Sequence, residues 1–323
     1  MNKLILATGQ GVIVCERINS GWDESLRGLI NQHVTSITLH GGMILAGTET
    51  GIFRSEDEGQ TWKEASNGLT TRHVRWMAYH QDADGLVFAG TEPANIFVSH
   101  NNGDSWRLCP EVAELRDRFK WSLPYSPAAG CVRGFAFHGS RVYAAVEVGG
   151  VLVSEDYGET WQLAEGSDGK PNLSGPPEPF VYPDVHSLEV HSSSQDLVYA
   201  PTGGGFYRSN DGGKTWRLFY DCYCRAVWVD TKNPEHMILG PADGVDRNGR
   251  IEESHDGGQS WSMASNGIQV PWRRGMVERF FHGDEELFAV LSTGQLLSTT
   301  LSRIEWKHIL PEIDDVNAMT VIL

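Results

Sequence analysis

The sequence has no long apolar run. No window approaches the ~18 apolar residues that a bilayer-spanning helix needs, and the opening MNKLILATGQG holds neither a long apolar h-region nor a small-residue cleavage site. Both absences lead to the expectation of a soluble, cytoplasmic protein with no membrane partner. Cysteine is scarce as well. Cys15, Cys109, Cys131, Cys222 and Cys224 make an odd count without paired metal-ligand spacing, which suits reduced thiols better than a disulfide framework. Basic residues are outnumbered: 26 Lys and Arg face 42 Asp and Glu, for a formal charge of −16. Such a surface disfavours phosphate backbones, so nucleic acid is not an expected partner. Three catalytic signatures are missing too: the G-x-S-x-G elbow, the phosphate-cradling G-x-x-x-x-G-K-[ST], and H-E-x-x-H.

What the chain does have is one phrase written many times. S-x-D-x-G-x-[ST]-W occurs at 55–62, 154–161, 209–216 and 254–261, and 99–106 differs only by Asn101 in place of the aspartate. A sixth copy, Gly11 to Leu29, aligns without gaps on Gly51 to Leu69, and a worn seventh runs from Gly294 to Trp306. Around each copy lie short runs rich in Val, Ile, Thr and aromatics, bounded by turns, which read as four-stranded meanders. One meander cannot bury both faces alone, so seven units predict an all-β fold: a single seven-bladed β-propeller over 1–323. The first unit lacks an inner strand, while VNAMTVIL at the C-terminus resembles one. Blade 1 is therefore expected to combine 1–29 with 315–323 and close the ring.

The repeated phrase reads as a turn lock, with an aspartate accepting backbone N–H groups, glycines at positive φ, and a tryptophan packed between strands. It is identified as the Asp-box, or BNR repeat, and the chain resembles the propellers that carry it: sialidases, xyloglucanase-type glycosidases, Vps10-type receptors and photosystem assembly factors. The resemblance covers essentially the whole chain and implies the fold. It implies less about activity, because those relatives include enzymes, receptors and assembly factors.

If the boxes serve structure, function should lie where the units differ. Aligning the inner strands on Val34, Val74, Val132, Val185, Cys224, Val277 and Val316 puts Thr35, Arg75, Arg133, His186, Arg225, Glu278 and Asn317 at the next position, the start of the strand that lines the channel. Composition alone would place only ~0.4 arginines among seven positions. The turn after the second strand aligns Glu49, Glu92 and Glu147, with Asp243 as a fourth candidate. Arg75, Arg133 and Arg225 are thus expected to hold a small anion by bidentate hydrogen bonds, joined by Glu49, Tyr223 and Asp184, while Glu92, Glu147 and His186 move protons as the catalytic set. Two 20-residue insertions, Glu111 to Gly130 and Glu165 to Asp184, are expected to raise an aromatic wall of Trp121, Tyr125, Phe180 and Tyr182 over the mouth, joined by Trp272, Arg273 and Arg274.

These residues point first to a hydrolase-like enzyme, glycosidase or ester hydrolase, acting on a small anionic substrate. A non-catalytic ligand- or protein-binding assembly propeller is the alternative. A third reading is a metal-dependent hydrolase or lyase in which Glu92, Glu147 and His186 hold a divalent ion. Similarity to sialidases implies an arginine cluster on a carboxylate, with a Tyr/Glu nucleophilic pair, for which Tyr223 is available. The chain departs from that pattern in its seven units and in lacking an Arg-Ile-Pro motif, and from the two-propeller xyloglucanases in having one propeller.

Overall fold

The computed structural model describes residues 3–19, 21–126 and 129–322. Seven four-stranded antiparallel sheets form the blades, each with its strands in sequence order from the inside outward save the first. Blade 1 takes its inner strand from the far end of the chain: Val316–Ile322 pairs with Lys3–Thr8, Met319 facing Leu6. The ring therefore closes as the terminal sequences imply. Residues 1, 2, 20 and 323, which the expected blade 1 included, lie outside the described residues, as do 127 and 128 in the first insertion.

The strands stand because their apolar side chains meet between blades. Phe88 of blade 3 lies against Phe135 and Trp161 of blade 4, with the Trp161 ring edge-on at 6.1 Å, and all three are buried. Close approach demands glycine at certain points. A Cβ on Gly90 would come within 2.7 Å of the Val132 side chain on the next blade, and one on Gly158 within 2.1 Å of the Phe88 ring.

The Asp-boxes are turn locks. In the box at 154–161, Ser154 Oγ donates to Asp156 Oδ1 and accepts the Gly158 N–H at 2.8 Å, while Asp156 accepts both the N–H and the hydroxyl of Thr160. Gly158 takes φ 82°, and Trp161 Nε1 donates back to its carbonyl. The serine and aspartate bonds recur in the other boxes, with Asn101 Nδ2 bonding Ser105 where a carboxylate would stand. The tryptophan bond recurs only at Trp62 and Trp261, and Trp106 donates to the Ala65 carbonyl instead. Each box follows the third strand of its meander, so it sits on the face opposite the start of the inner strands.

One element departs from the expected all-strand pattern. The first insertion opens with a helix, α1 (Pro110–Phe119), started by a proline in its first turn. Val112, Leu115 and Phe119 fall on one side of it and pack into the core shared by blades 3 and 4.

Candidate active site at the channel mouth

Six of the seven aligned inner-strand residues are bulged. In blades 2, 3, 4 and 7 the pairing register steps from Val34 to Ser36, Val74 to Trp76, Val132 to Gly134 and Val277 to Arg279. The skipped residues are Thr35, Arg75, Arg133 and Glu278. Blade 6 skips Arg225 and Ala226 against one partner, and blade 1 skips Asn317. A bulge leaves its extra residue unpaired and turns its side chain away from the pleat. Here all six point into one cavity of about 510 Å³ at the end of the channel where the inner strands begin.

Blade 5 is the exception. Val185 bridges Thr202, but regular pairing resumes only at Glu189–Val190, and His186 is wholly buried beneath the mouth. Its Nδ1 lies 2.9 Å from the Cys224 carbonyl, and its Nε2 lies 3.2 Å from Asp184 Oδ2 and 3.3 Å from the Tyr223 hydroxyl.

The arginines at the mouth are held by carboxylates of their own blade, Glu92 for Arg75 and Glu147 for Arg133, and by Glu278 of blade 7, which reaches Arg133 and Arg225 on blades 4 and 6. Arg225 Nη1 is 2.6 Å from Glu278 Oε2, Arg133 Nη2 binds the other oxygen of the same group, and Arg133 Nη1 is 3.3 Å from Glu147 Oε2. Arg75 Nη1 lies 3.3 Å from Glu92 Oε2, a charge contact without an aligned hydrogen bond. Burial works to raise the Glu278 carboxyl, yet Arg225, Arg133 and Arg279 outweigh it and hold the group far below the usual carboxylate range. Burial also opposes ionisation of Glu147 and Asp184. Arg133 and His186 overcome it for Glu147, and His186 with Arg133 and Arg225 for Asp184, so both stay low.

Sequence alignment did not single out Arg279, which organises the floor. Its guanidinium donates to the carbonyls of Arg133 at 2.6 Å, His186 at 2.8 Å and Arg225 at 3.1 Å, and stacks 4.6 Å from the Trp76 ring. The signal lay one step beyond the arginine position. There the blades carry Ser36, Trp76, Gly134, Ser187, Ala226, Arg279 and Ala318, five small residues that leave room for one large cation on an aromatic plate. Burial, with Arg133 beside it, brings the Arg279 pKa down to about 9, which leaves it charged at neutrality. Deeper along the channel Glu189 is open to channel water but walled in by protein, which pushes its carboxyl up to about 7 against the pull of Arg279.

The expected site residues thus fall into layers. Arg75, Arg133, Arg225 and Glu49 line the cavity, with Glu49 Oε1 2.8 Å from His33 Nδ1 on the rim. Glu92, Glu147, His186, Tyr223 and Asp184 are not among its walls; they form the supporting layer behind the arginines. Asp246, Asp314 and Asp315, which the alignment missed, add carboxylates to the rim. Asp315 could have been found, because it precedes Val316 as Asp184 precedes Val185. Asp243 is turned instead to Asn248 and Arg250.

Neither the expected aromatic wall nor Arg273 and Arg274 lines the cavity, whose aromatic lining residue is Trp76, and Trp272 packs against the core between blades 6 and 7. Trp121 does not face the cavity: it is 1% exposed, packs in the core beside α1, and donates its Nε1 to the Gly169 carbonyl, so it ties the two insertions together. Tyr125 stays 61% exposed, and the Tyr182 hydroxyl bonds the Leu173 carbonyl within its own insertion. Of the proposed ion ligands, Glu147 and His186 come together with Asp184, while Glu92 stands apart on Arg75. Arg133 on Glu147 places a positive charge where a cation would need none.

The family described as BNR/Asp-box repeat matches residues 207–218. Among curated proteins, the oligoxyloglucan-reducing end-specific xyloglucanase of Emericella nidulans is 25% identical over 299 aligned positions, covering 76% of this chain and 35% of the relative. The chain therefore spans about a third of the length of the curated relative it matches. In fold it is similar to the GH74 enzyme of Niastella koreensis, with TM-score 0.65 and 16% identity over 97% of this chain and 52% of the other. It is equally similar to YCF48 from Cyanidioschyzon merolae, with TM-score 0.63 and 14% identity over 92% and 90% of the two chains. YCF48 has also been solved bound to a D1 peptide. The chain is a seven-bladed β-propeller built on BNR/Asp-box repeats.

Proposed function

We propose that the channel mouth binds a small anion that also carries hydroxyl or amine donors, an acidic sugar being the simplest such molecule, and holds it without breaking it. The observation that carries this reading is the charge arrangement of the cavity. Four guanidiniums converge on its floor, and one of them, Arg279, bonds backbone carbonyls and has no carboxylate partner among the described residues. The anion would take Arg75, Arg133 and Arg225, and its neutral donors would turn to Glu49, Asp246 and Asp315 on the rim. Glycoside hydrolysis needs one carboxylic acid that keeps its proton. Glu147, Glu278 and Asp184, beside the mouth arginines, are all pushed the other way, towards the ionised form, and Glu189, the carboxyl that burial raises, is not among the residues lining the cavity.

A second reading, a glycosidase-like hydrolase, rests on a separate observation, the likeness to the xyloglucanase. Its acids would be the rim carboxylates rather than Glu92, Glu147 and His186. Calorimetric titration with glucuronate and galacturonate, beside an assay for release of sugar from xyloglucan oligosaccharides, separates the two. Binding that Arg75→Ala weakens at least ten-fold, with no sugar released, supports the binding reading. Turnover that Glu49→Gln or Asp315→Asn abolishes overturns it in favour of the hydrolase.

A further inference from the structure

On the face opposite the mouth, three strands of blade 6 bring a different set of side chains together. His236 lies on the second strand (Asn233–Ala242), and Glu253 on the third (Glu252–Ser254), with His255 one residue past its end inside an Asp-box. The register pairs Met237 with Ser254, so one step on sets His236 across from His255. Glu253, two residues before His255, shares its face of the sheet. Both imidazoles converge on one oxygen: His236 Nε2 is 2.7 Å and His255 Nε2 3.4 Å from Glu253 Oε1. The rings stack at 4.5 Å between centroids and 16° between planes, and both present Nε2 to Glu253.

We propose that His236, Glu253 and His255 bind one divalent transition ion of the zinc class. The donor set, two imidazole nitrogens and a carboxylate oxygen, is one that such ions take, with a fourth position left for water. All three donor atoms lie within 4.8 Å of one another. Ligands at ~2.0–2.1 Å from a tetrahedral ion stand about 3.3 Å apart, so the observed spacing needs only small side-chain adjustment. The outer partners are also in place. His236 Nδ1 lies 3.5 Å from Asp230 Oδ2, the position from which a carboxylate fixes a metal-binding imidazole, and the Trp228 ring meets His236 edge-on at 5.3 Å. No lysine or arginine pairs with Glu253 among the described residues, so its charge is met only by the two histidines. His255 is 66% exposed along its side chain, which gives an ion a path in and water a place to bind.

The test uses the whole chain without a histidine tag, stripped with a chelator and titrated with Zn²⁺ alone by calorimetry. One equivalent should bind, and His236→Ala and His255→Ala should each weaken it at least ten-fold. Asp230→Asn should weaken it by about ten-fold by releasing the His236 ring. Substituting Co²⁺ should give visible absorption bands that His255→Ala removes while the circular dichroism of the fold is unchanged. The proposal is overturned if no Zn²⁺ binds or if His255→Ala binds as well as wild type. Loss of binding only in Asp184→Asn would also overturn it, placing the ion at the cluster beneath the mouth.

Discussion

Arg133 and Arg225 share one carboxylate, that of Glu278, each taking a different oxygen. The two arginines come from blades 4 and 6 and the glutamate from blade 7, so this contact ties three blades across the channel while it fixes two guanidiniums side by side at the mouth. Both arginines are mostly buried, with side chains 13% and 16% exposed. That is the arrangement an anion with two oxygens would meet.

Removing the shared carboxylate should therefore cost stability. Glu278→Gln leaves the buried Arg225 without its carboxylate and Arg133 with Glu147 alone, and the expected loss is about 3 kcal/mol. Denaturant unfolding of the variant at neutral pH checks the figure.

The same group should shape the acid side of the stability curve. Glu278 has a folded-state pKa well below its unfolded one, so the stability it contributes is present above the unfolded value and is lost as pH falls towards the folded value. Wild type should lose stability steadily from about pH 5 downward, and Glu278→Gln should show a shallower fall over that range. Thermal unfolding followed between pH 7 and 3 supplies both slopes.

Arg279 should matter to the ring more than to any one blade. Arg279→Leu strands the carbonyls of Arg133, His186 and Arg225, which lie in blades 4, 5 and 6, and should destabilise the fold by about 3 kcal/mol. Hydrogen exchange should rise at the inner strands of all three blades. A rise confined to blade 7 would contradict the role assigned to it.

An Asp-box change should act on stability alone. Asp156→Ala removes the bonds to Thr160 and should cost about 1 kcal/mol. Because the box lies on the face away from the mouth, affinity for an anion there should not move.

Much of this was legible in the sequence, and for a physical reason. Turn chemistry is local, so Ser154, Asp156, Gly158 and Trp161 announce their turn wherever they occur, and the strand count follows from the box count. The aligned position of Arg75, Arg133 and Arg225 was readable because six of the seven blades bulge at it, although the bulge itself left no mark in the residue types. What could not be read was depth. Glu147 and His186 align with mouth residues, yet they lie behind the arginines because Glu278 occupies the front and because blade 5 loses its regular strand at His186. Trp121 reads as a wall residue by composition, but α1 carries it down into the core. Its helical stripe of Val112, Leu115 and Phe119 is short and sits in an insertion, where no neighbouring repeat reinforces it.

Anion binding at the mouth is tested most directly by diffraction from crystals soaked in selenate, with the anomalous signal of selenium used to locate the anion. A peak is expected at the channel mouth within hydrogen-bond reach of Arg75, Arg133 and Arg225, lost in Arg75→Ala crystals while the propeller is unchanged. A mouth that stays empty while selenate collects elsewhere would contradict it and show that the guanidiniums serve only to hold the blades together.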